Sequence, residues 1–94
     1  MQIRFYVDPD TDEPHIWAHG IIEEEVRQVL RSHGEVRRGH RNSRMKIGRT
    51  YAGRYIQVIY VPDEEGDGIF VITAYELSGN ARAAFRRRHR RKPR

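Results

Sequence analysis

The sequence contains no cysteine, a single tryptophan and two methionines. Without cysteine the chain cannot form a disulfide framework, a thiolate metal site or a thiol nucleophile. No stretch approaches the roughly 20 apolar residues that a membrane-spanning helix needs, and the N-terminal residues lack the apolar run of a secretory signal. We therefore expect a cytoplasmic protein that does not enter a membrane.

The chain is short and highly charged, with 94 residues of which 37% are hydrophobic and 33% are charged. That length supplies one modest core and leaves no room for a second folded unit. We expect residues 1–94 to form a single domain, in which residues 90–94 are a disordered basic tail.

The net charge of +5 is distributed in blocks of alternating sign. Residues 1–30 carry seven acids and two bases, and residues 31–61 carry one acid and eight bases. Residues 62–81 then carry five acids and no base, and residues 82–94 carry eight bases and no acid. Basic runs attract polyanions by counterion release, although a charge run can also simply solvate a surface. Two separate basic runs favour nucleic acid as a partner.

Apolar periodicity predicts a strand and then helical segments in the first third of the chain. Residues 2–7 alternate polar and apolar side chains, which is typical of a strand. Residues 14–18 are a candidate helical turn that ends at Gly20. An amphipathic helix that stops at Gly34 follows. Its apolar stripe consists of Ile22, Val26, Val29 and Leu30.

The remainder of the chain is predicted to form strands and one final helix. The four expected strands are Glu35 to Arg38, Arg44 to Tyr51, Arg54 to Val61 and Ile69 to Glu76. Short connections imply antiparallel hairpins, so we expect a meander. A basic C-terminal helix follows, capped by Ser78 or Asn80, with a thin stripe of Ala81, Ala84 and Phe85. The expected fold class is α+β, with the antiparallel meander packed against an N-terminal helical segment.

Strand alternation assigns side chains to two faces of this sheet. The predicted core face consists of Met45, Ile47, Ile56, Val58, Tyr60, Phe70, Ile72 and Ala74. The predicted open face consists of Arg44, Lys46, Tyr55, Gln57, Thr73 and Tyr75. Cations hold phosphates, phenol rings stack on unpaired bases and amides contact base edges, so the open face suits single-stranded RNA. The alternative is that Tyr55 and Tyr75 are ordinary cross-strand packing partners.

Three strand motifs and a preceding dipeptide carry a family resemblance. They are His19-Gly20 followed by Glu24 and Glu25, Lys46-Ile47-Gly48-Arg49-Thr50, the segment from Gly53 to Tyr60, and Val71-Ile72-Thr73-Ala74-Tyr75. In this order they resemble the BrnT-like ribonuclease toxins and a related family of uncharacterised bacterial and phage domains. The resemblance implies a fold related to the RelE superfamily, metal-independent RNA cleavage and neutralisation by a cognate antitoxin of a type II toxin–antitoxin module. The sequence departs from the BrnT pattern at Thr73-Ala74-Tyr75, where those chains tend to have Ser-Ala-Arg, and a phenol replaces a cation.

Metal-independent RNA cleavage needs a base for the 2′-hydroxyl, an acid for the leaving oxygen and cations for the phosphorane. We expect His19 or His40 as the acid or base, Arg49 and Arg54 as phosphate stabilisers, and Tyr75 for stacking or proton donation. Strict alternation puts Arg49 on the core side, but the turn at Ala52-Gly53 can release it to solvent. The expected RNA-binding residues are Arg44, Lys46, Tyr55, Gln57, Arg82 and Arg86.

His15 and His19 are four residues apart, as two helical metal ligands would be. The glutamate of a His-Glu-x-x-His zinc motif is missing, and we expect neither a metal ion nor another cofactor.

Two other interpretations stay open. In one, the chain is a non-catalytic nucleic-acid- or protein-binding module whose affinity comes from the run Arg86 to Lys92. In the other, the acidic N-terminal block and the basic C-terminal helix mediate self-association into an oligomer.

Overall fold

The computed structural model describes residues 1–64 and 66–89. The expected tail, residues 90–94, lies outside these residues. The strands are β1 (Ile3–Phe5), β2 (Val7–Asp8), β3 (Glu13–Pro14), β4 (Glu35–Arg38), β5 (Arg44–Arg49), β6 (Tyr55–Pro62) and β7 (Ile69–Glu76). The helices are a 3-10 helix (His15–His19), α1 (Glu23–Arg31) and α2 (Gly79–Arg88). None of the helices in the described residues is long and apolar enough to cross a membrane.

Five strands form one mixed sheet in the order β1-β7-β6-β5-β4, and β2 and β3 form a separate two-stranded pair. Strands β4 to β7 pair antiparallel with their neighbours along the chain, whereas β1 pairs parallel with β7, with Ile3 opposite Ile69. The expectation of an antiparallel sheet is therefore corrected, because one edge pairing is parallel. No hairpin links β1 to β7, so short-range turn chemistry does not set their relative direction.

Helix α1 packs its apolar side against the sheet. Val26 and Val29 are fully buried and Leu30 packs against the same core, as their spacing predicts. Ile22 was expected in this stripe, but it is the N-cap residue and is 55% exposed, while Ile21 is fully buried in its place. The backbone of Ile22 is extended, so its side chain does not follow the helical period.

The 3-10 helix starts one residue later than the turn expected at residues 14–18. Its Ile16 side chain is buried in the core. The segment ends at Gly20, which has a φ of 72° in the left-handed region that glycine adopts without steric cost. This turn brings the chain from the 3-10 helix into α1.

One face of the sheet lies under α1 and the 3-10 helix, and we call it the covered face. Its buried side chains are Ile56, Val58, Ile69, Val71 and Ala74. Lys46 is paired with Val58 and Gly48 with Ile56, so these β5 residues also belong to the covered face.

The opposite face, which we call the second face, carries Met45, Ile47, Tyr55, Gln57 and Tyr75. The predicted faces are therefore wrong for β5, since Met45 and Ile47 were expected with the core and Lys46 away from it. The hairpin between β5 and β6 sets Arg49 opposite Tyr55, and this register fixes which β5 side chains share a face with β6.

A register shift in the pairing of β6 with β7 explains a second difference. It occurs at Ile59/Tyr60, and as a result Val71 and Ala74 are both buried in the core. Phe70 and Ile72 were expected in the core, but Phe70 is half-buried and Ile72 is exposed. A β-bulge shifts the alternation of side chains along a strand, and hydrophobicity alone does not locate it.

Helix α2 packs on part of the second face. Phe85 is 5% exposed and forms a small cluster with Ile47 and Leu77, against which Tyr55 packs. Ser78 is the N-cap residue, one of the two expected positions. The face that was expected to be open is therefore partly covered by α2.

Candidate functional site

A groove with a volume of ≈ 710 Å³ lies between α2, the end of β5 and the chain just after α1. We call it the arginine groove. It is lined by Ser32, His33, Gly48, Arg49, Tyr55, Ala83, Phe85, Arg86, Arg87 and His89. Gly48 lies where β5 passes close to the end of α1, and a Cβ there would meet the side chains of Ser32 and Val29.

Two guanidinium groups lie at the ring of Tyr55, which lines this groove. The Cζ atom of Arg49 is 5.7 Å from the ring centroid and the Cζ atom of Arg82 is 5.5 Å from it. Both distances fall within the roughly 6 Å over which a cation is attracted to an aromatic face. The ring also packs edge-on against Phe85 at 5.9 Å, and Phe85 stacks on His89 at 4.3 Å. These contacts hold the cations in a fixed arrangement around one aromatic side chain.

The groove is a site of uncompensated positive charge. No carboxylate among residues 1–64 and 66–89 lines it. Within the same residues, Arg49, Arg82, Arg86 and Arg87 form no ion pair. Unpaired guanidinium groups in a concave site attract anions, and they bind phosphate oxygens in a bidentate manner.

Helix α2 is fastened across the sheet to β4 by Glu35. Arg88 donates hydrogen bonds to the two Glu35 carboxylate oxygens at 2.7 and 3.1 Å, and the ring Nε2 of His89 lies 3.0 Å from Oε2. Arg37 forms an additional ion pair with the same carboxylate. The hydrogen bonds from Arg88, then His89 and Arg37, lower the pKa of Glu35 to about 2 against the desolvation that opposes them. This contact fixes the wall of the groove that α2 supplies.

A second cluster of polar side chains lies at the edge of the sheet beside β7. Nδ1 of His15 lies 2.9 and 3.1 Å from the two carboxylate oxygens of Asp8. The ring of His19 is 5.1 Å from the ring of His15 and 6.3 Å from the ring of Tyr75. Imidazole, carboxylate and phenol groups are the ones that transfer protons in metal-free hydrolysis. We call these four residues the histidine cluster.

The two tyrosines connect the histidine cluster with the arginine groove. Tyr75 is opposite Gln57 in the pairing of β6 with β7, and Tyr55 precedes Gln57 by two residues on the same face. Tyr55 and Tyr75 are therefore diagonal neighbours, for which Cα separations are roughly 7–8 Å. The ring of Tyr75 contacts His19, so this face meets the histidine cluster at Tyr75.

The groove thus brings together Arg49, Tyr55 and Arg86, three of the residues expected in the site. Arg82, another expected residue, contacts the same Tyr55 ring. His19 and Tyr75, from the same expectation, are neighbours in the histidine cluster. The position of Arg49 on the second face removes the conflict with alternation noted above, because the phase of β5 is reversed.

Arg54 is occupied by other contacts. Its guanidinium group donates to Glu25 at 2.7 Å, to Glu76 at 3.1 Å and to the carbonyl oxygen of Gly20 at 3.1 Å. The hydrogen bonds from Arg54 to Glu76 and Glu25 raise the pKa of the arginine. Glu25 also accepts the backbone N–H of Ile22 at the start of α1. Arg54 therefore ties the 3-10 helix and α1 to β7.

Lys46 is also occupied, because it lies on the covered face. Its ammonium group donates to the carbonyl oxygens of Leu30 and Ser32, at 3.1 and 2.8 Å, where α1 ends. Burial lowers the pKa of this lysine. A cation at the C-terminus of a helix donates hydrogen bonds to carbonyl oxygens that have no partner within the helix, and it interacts favourably with the helix dipole.

Of the remaining expected residues, Gln57 lies on the second face beside Tyr75, whereas Arg44 and His40 lie apart from both clusters. Gln57 donates to Sδ of Met45 at 3.0 Å on the second face. Arg44 donates to the carbonyl oxygens of Asn42 and Ser43 at the other end of the sheet. His40 lies there too, in a groove of ≈ 560 Å³.

Several site residues were missed by the sequence reasoning. His33, Arg87 and His89 line the arginine groove, and Asp8 pairs with His15. The spacing of His15 and His19 was a usable signal, but it suggested a metal site. No group of three or more His, Asp or Glu side chains suited to a metal ion occurs in the part of the chain that the structure describes.

Comparison with protein families gives one match. A family model described as a domain of unknown function, DUF4258, matches residues 16–76, which is well over half of the chain. No curated protein and no solved structure matches. The matched residues contain His19, Arg49, Tyr55 and Tyr75, whereas α2 follows the match.

Proposed function

We propose that this chain, which belongs to the DUF4258 family of domains of unknown function, binds single-stranded RNA along the arginine groove and cleaves it without a metal ion. The observation that carries the proposal is the group of unpaired arginines around Tyr55 in a concave site. Phosphates supply the negative charge that this group lacks.

The second face offers single-stranded RNA more than charge. Tyr75 is 37% exposed and is free to stack on an unpaired base, and base–aromatic stacking contributes about 1–3 kcal/mol per base. A strand that runs from the groove across Tyr55 to Tyr75 places its phosphates at the arginines and a base on the phenol. A duplex keeps its bases stacked inside the helix and gains less from such a surface.

Cleavage is supported by the neighbourhood of His19 and Tyr75 at the end of this path. An imidazole beside a bound ribose-phosphate is suited to take the 2′-hydroxyl proton or to protonate the leaving oxygen. The resemblance to BrnT-like toxins points to the same reaction, and we include in the proposal a role as a toxin that a cognate antitoxin neutralises.

Binding is tested with a double variant of the groove and a double control of equal charge. Arg49→Gln with Arg82→Gln should weaken the affinity for a labelled RNA of about 12 nucleotides at least about tenfold, and should flatten the salt dependence of log K by about 1.4. Arg38→Gln with Arg41→Gln removes the same charge from exposed positions in and after β4, and it should change the affinity by less than about threefold. Equal losses in the two variants would contradict a localised site.

Cleavage is tested with the purified chain in the presence of a chelator. The wild type should convert the RNA into fragments with a 2′,3′-cyclic phosphate, and a substrate with 2′-deoxyribose at the cut should be bound and not cleaved. Expression in cells should halt growth, and co-expression of a cognate antitoxin should restore it.

A second candidate function is RNA binding without cleavage. The observation that favours it is the engagement of Arg54, an expected phosphate stabiliser, by two carboxylates. An intact RNA after prolonged incubation with the wild type, together with groove-dependent affinity, would select this function.

A further inference from the structure

We infer that Asp8, His15 and His19 form the acid–base apparatus for RNA cleavage, with His15 as the base, His19 as the acid and Asp8 as the positioning residue. The inference rests on the proposed cleavage of RNA and assigns its chemistry. It is drawn from the carboxylate–imidazole pair and the adjoining ring beside the second face.

The contact between Asp8 and His15 sets the chemical form of the imidazole. Both carboxylate oxygens lie within hydrogen-bond distance of Nδ1, so this nitrogen carries a proton and donates it to the carboxylate. In the neutral imidazole Nε2 then carries the lone pair, which is what a general base requires. A carboxylate in this position also stabilises the imidazolium that forms when Nε2 accepts a proton.

The backbone holds the pair rigidly. Asp8 belongs to β2, which pairs with β3 through Asp8 and Glu13, and the N–H of His15 donates to the carbonyl oxygen of Tyr6 at 2.9 Å. The ring of Tyr6 packs edge-on against the ring of His15 at 6.1 Å. The side chains of Asp8 and His15 are 28% and 35% exposed, so they are accessible to a substrate.

His19 is placed to complete the reaction. It is exposed, four residues after His15 in the 3-10 helix, and its ring lies between those of His15 and Tyr75 in the series of ring contacts. A base stacked on Tyr75 therefore brings its own ribose and the adjoining phosphate towards both imidazoles. Two imidazoles of opposite protonation state are sufficient for an in-line transfer at phosphorus.

The step balances without another reagent. Nε2 of His15 takes the 2′-hydroxyl proton, and the 2′-oxygen forms a bond to the adjacent phosphorus. The bond from phosphorus to the 5′-oxygen breaks with its electron pair on that oxygen, which takes a proton from the imidazolium of His19. The products are a 2′,3′-cyclic phosphate and a 5′-hydroxyl, and water returns the transferred proton from His15 to His19.

The experiment uses the full chain and the RNA described above. His15→Gln and His19→Gln should each lower the cleavage rate about 100-fold or more and leave the RNA affinity within about twofold. His40→Gln is the matched control, because His40 is an exposed histidine at the other end of the sheet, and it should cleave at the wild-type rate. The double variant Arg49→Gln with Arg82→Gln should lose RNA affinity, in contrast to the two histidine variants.

A spectroscopic measurement distinguishes a catalytic role of the Asp8–His15 pair from a purely structural one. The ¹⁵N shifts of His15 should report the Nδ1–H form in the wild type and a shift towards the Nε2–H form in Asp8→Asn, together with at least about 100-fold slower cleavage. His19→Gln changes an exposed side chain that makes no hydrogen bond within the described residues, so it tests the chemistry without disturbing the fold.

The outcomes separate the two proposals. Wild-type cleavage that persists in His15→Gln or in His19→Gln overturns this inference and leaves the proposed function standing. A wild type that binds RNA and never cleaves it removes the enzymatic proposal, and this inference falls with it.

Discussion

Replacing Glu35 with glutamine should weaken the attachment of α2 to the sheet. The carboxylate of Glu35 receives three hydrogen bonds from Arg88 and His89 and also pairs with Arg37. A glutamine has a similar shape but no charge, and its amide nitrogen faces cationic donors. After the change, the packing of Phe85 against Ile47 and Leu77 is the main contact that anchors α2 among the described residues.

The magnitude follows from the pKa of Glu35, which falls from 4.5 to about 2 in the folded chain. At about 1.4 kcal/mol per unit, this corresponds to a ceiling of about 3 kcal/mol. The side chain of Arg88 is 41% exposed, and solvent screening reduces the expected loss to about 1–2 kcal/mol.

Native-state hydrogen exchange measures this loss where it occurs. The amides of α2 should exchange about 5- to 30-fold faster in Glu35→Gln, whereas the amides of β6 and β7 should change much less. Glu24→Gln is the matched control, because Glu24 and Arg31 form an exposed pair at 3.3 Å, and it should cost less than about 0.5 kcal/mol.

The ion pair of Glu35 with Arg88 makes the stability of the wild type depend on pH, with a sign that follows from the pKa of Glu35. The folded pKa lies below the unfolded value, so the stabilisation is complete above about pH 4.5 and is lost as the pH falls towards about 2. The protection factors of the α2 amides, which correct for the intrinsic pH dependence of exchange, should fall across this window in the wild type and not in Glu35→Gln. Unchanged α2 exchange in the variant at neutral pH would refute the role given to this ion pair.

Two further substitutions test the contacts of the covered face and its edge. Lys46→Met removes the donor to the carbonyl oxygens of Leu30 and Ser32 and should lower the free energy of unfolding by about 1 kcal/mol, and an unchanged denaturant midpoint would contradict the contact. Gly34→Ala places a Cβ against the backbone of β5 and should cost about 1–3 kcal/mol, whereas Gly79→Ala, which meets open space, should cost nothing measurable by the same titration.

Local patterns predicted the strands of the sheet more reliably than they predicted its faces. The bounds Glu35–Arg38 and Ile69–Glu76 follow from turn signals and β-branched runs, which act over a few residues. The position of β1 beside β7 depends on contacts about 65 residues apart along the chain. The phase of β5 depends on a hairpin register and the face of β7 on a bulge, and neither is encoded in hydrophobicity alone.

The candidate site was predictable where charge and aromatic content coincide. Arg49, Tyr55 and Arg82 were recognisable by residue type, and the fold brings them together. Asp8 was not recognisable, because a two-residue strand in a turn-rich segment places it beside His15. Lys46 was misplaced because a buried lysine that binds helix carbonyls has the same sequence signature as a surface cation.

The family match ends at residue 76, and α2 begins at Gly79. Gly48, Arg49 and Tyr55, which line the arginine groove, thus lie within the matched residues. The α2 side of the groove, which carries Arg86 and Arg87, lies after them and is held by the packing of Phe85 and by the ion pair of Arg88 with Glu35. Substitutions in α2 can therefore change the shape and charge of the groove without any alteration of the main core. A fragment trimmed to the matched residues would lose the α2 side of the groove and also β1, whose Ile3 and Phe5 pack against the core.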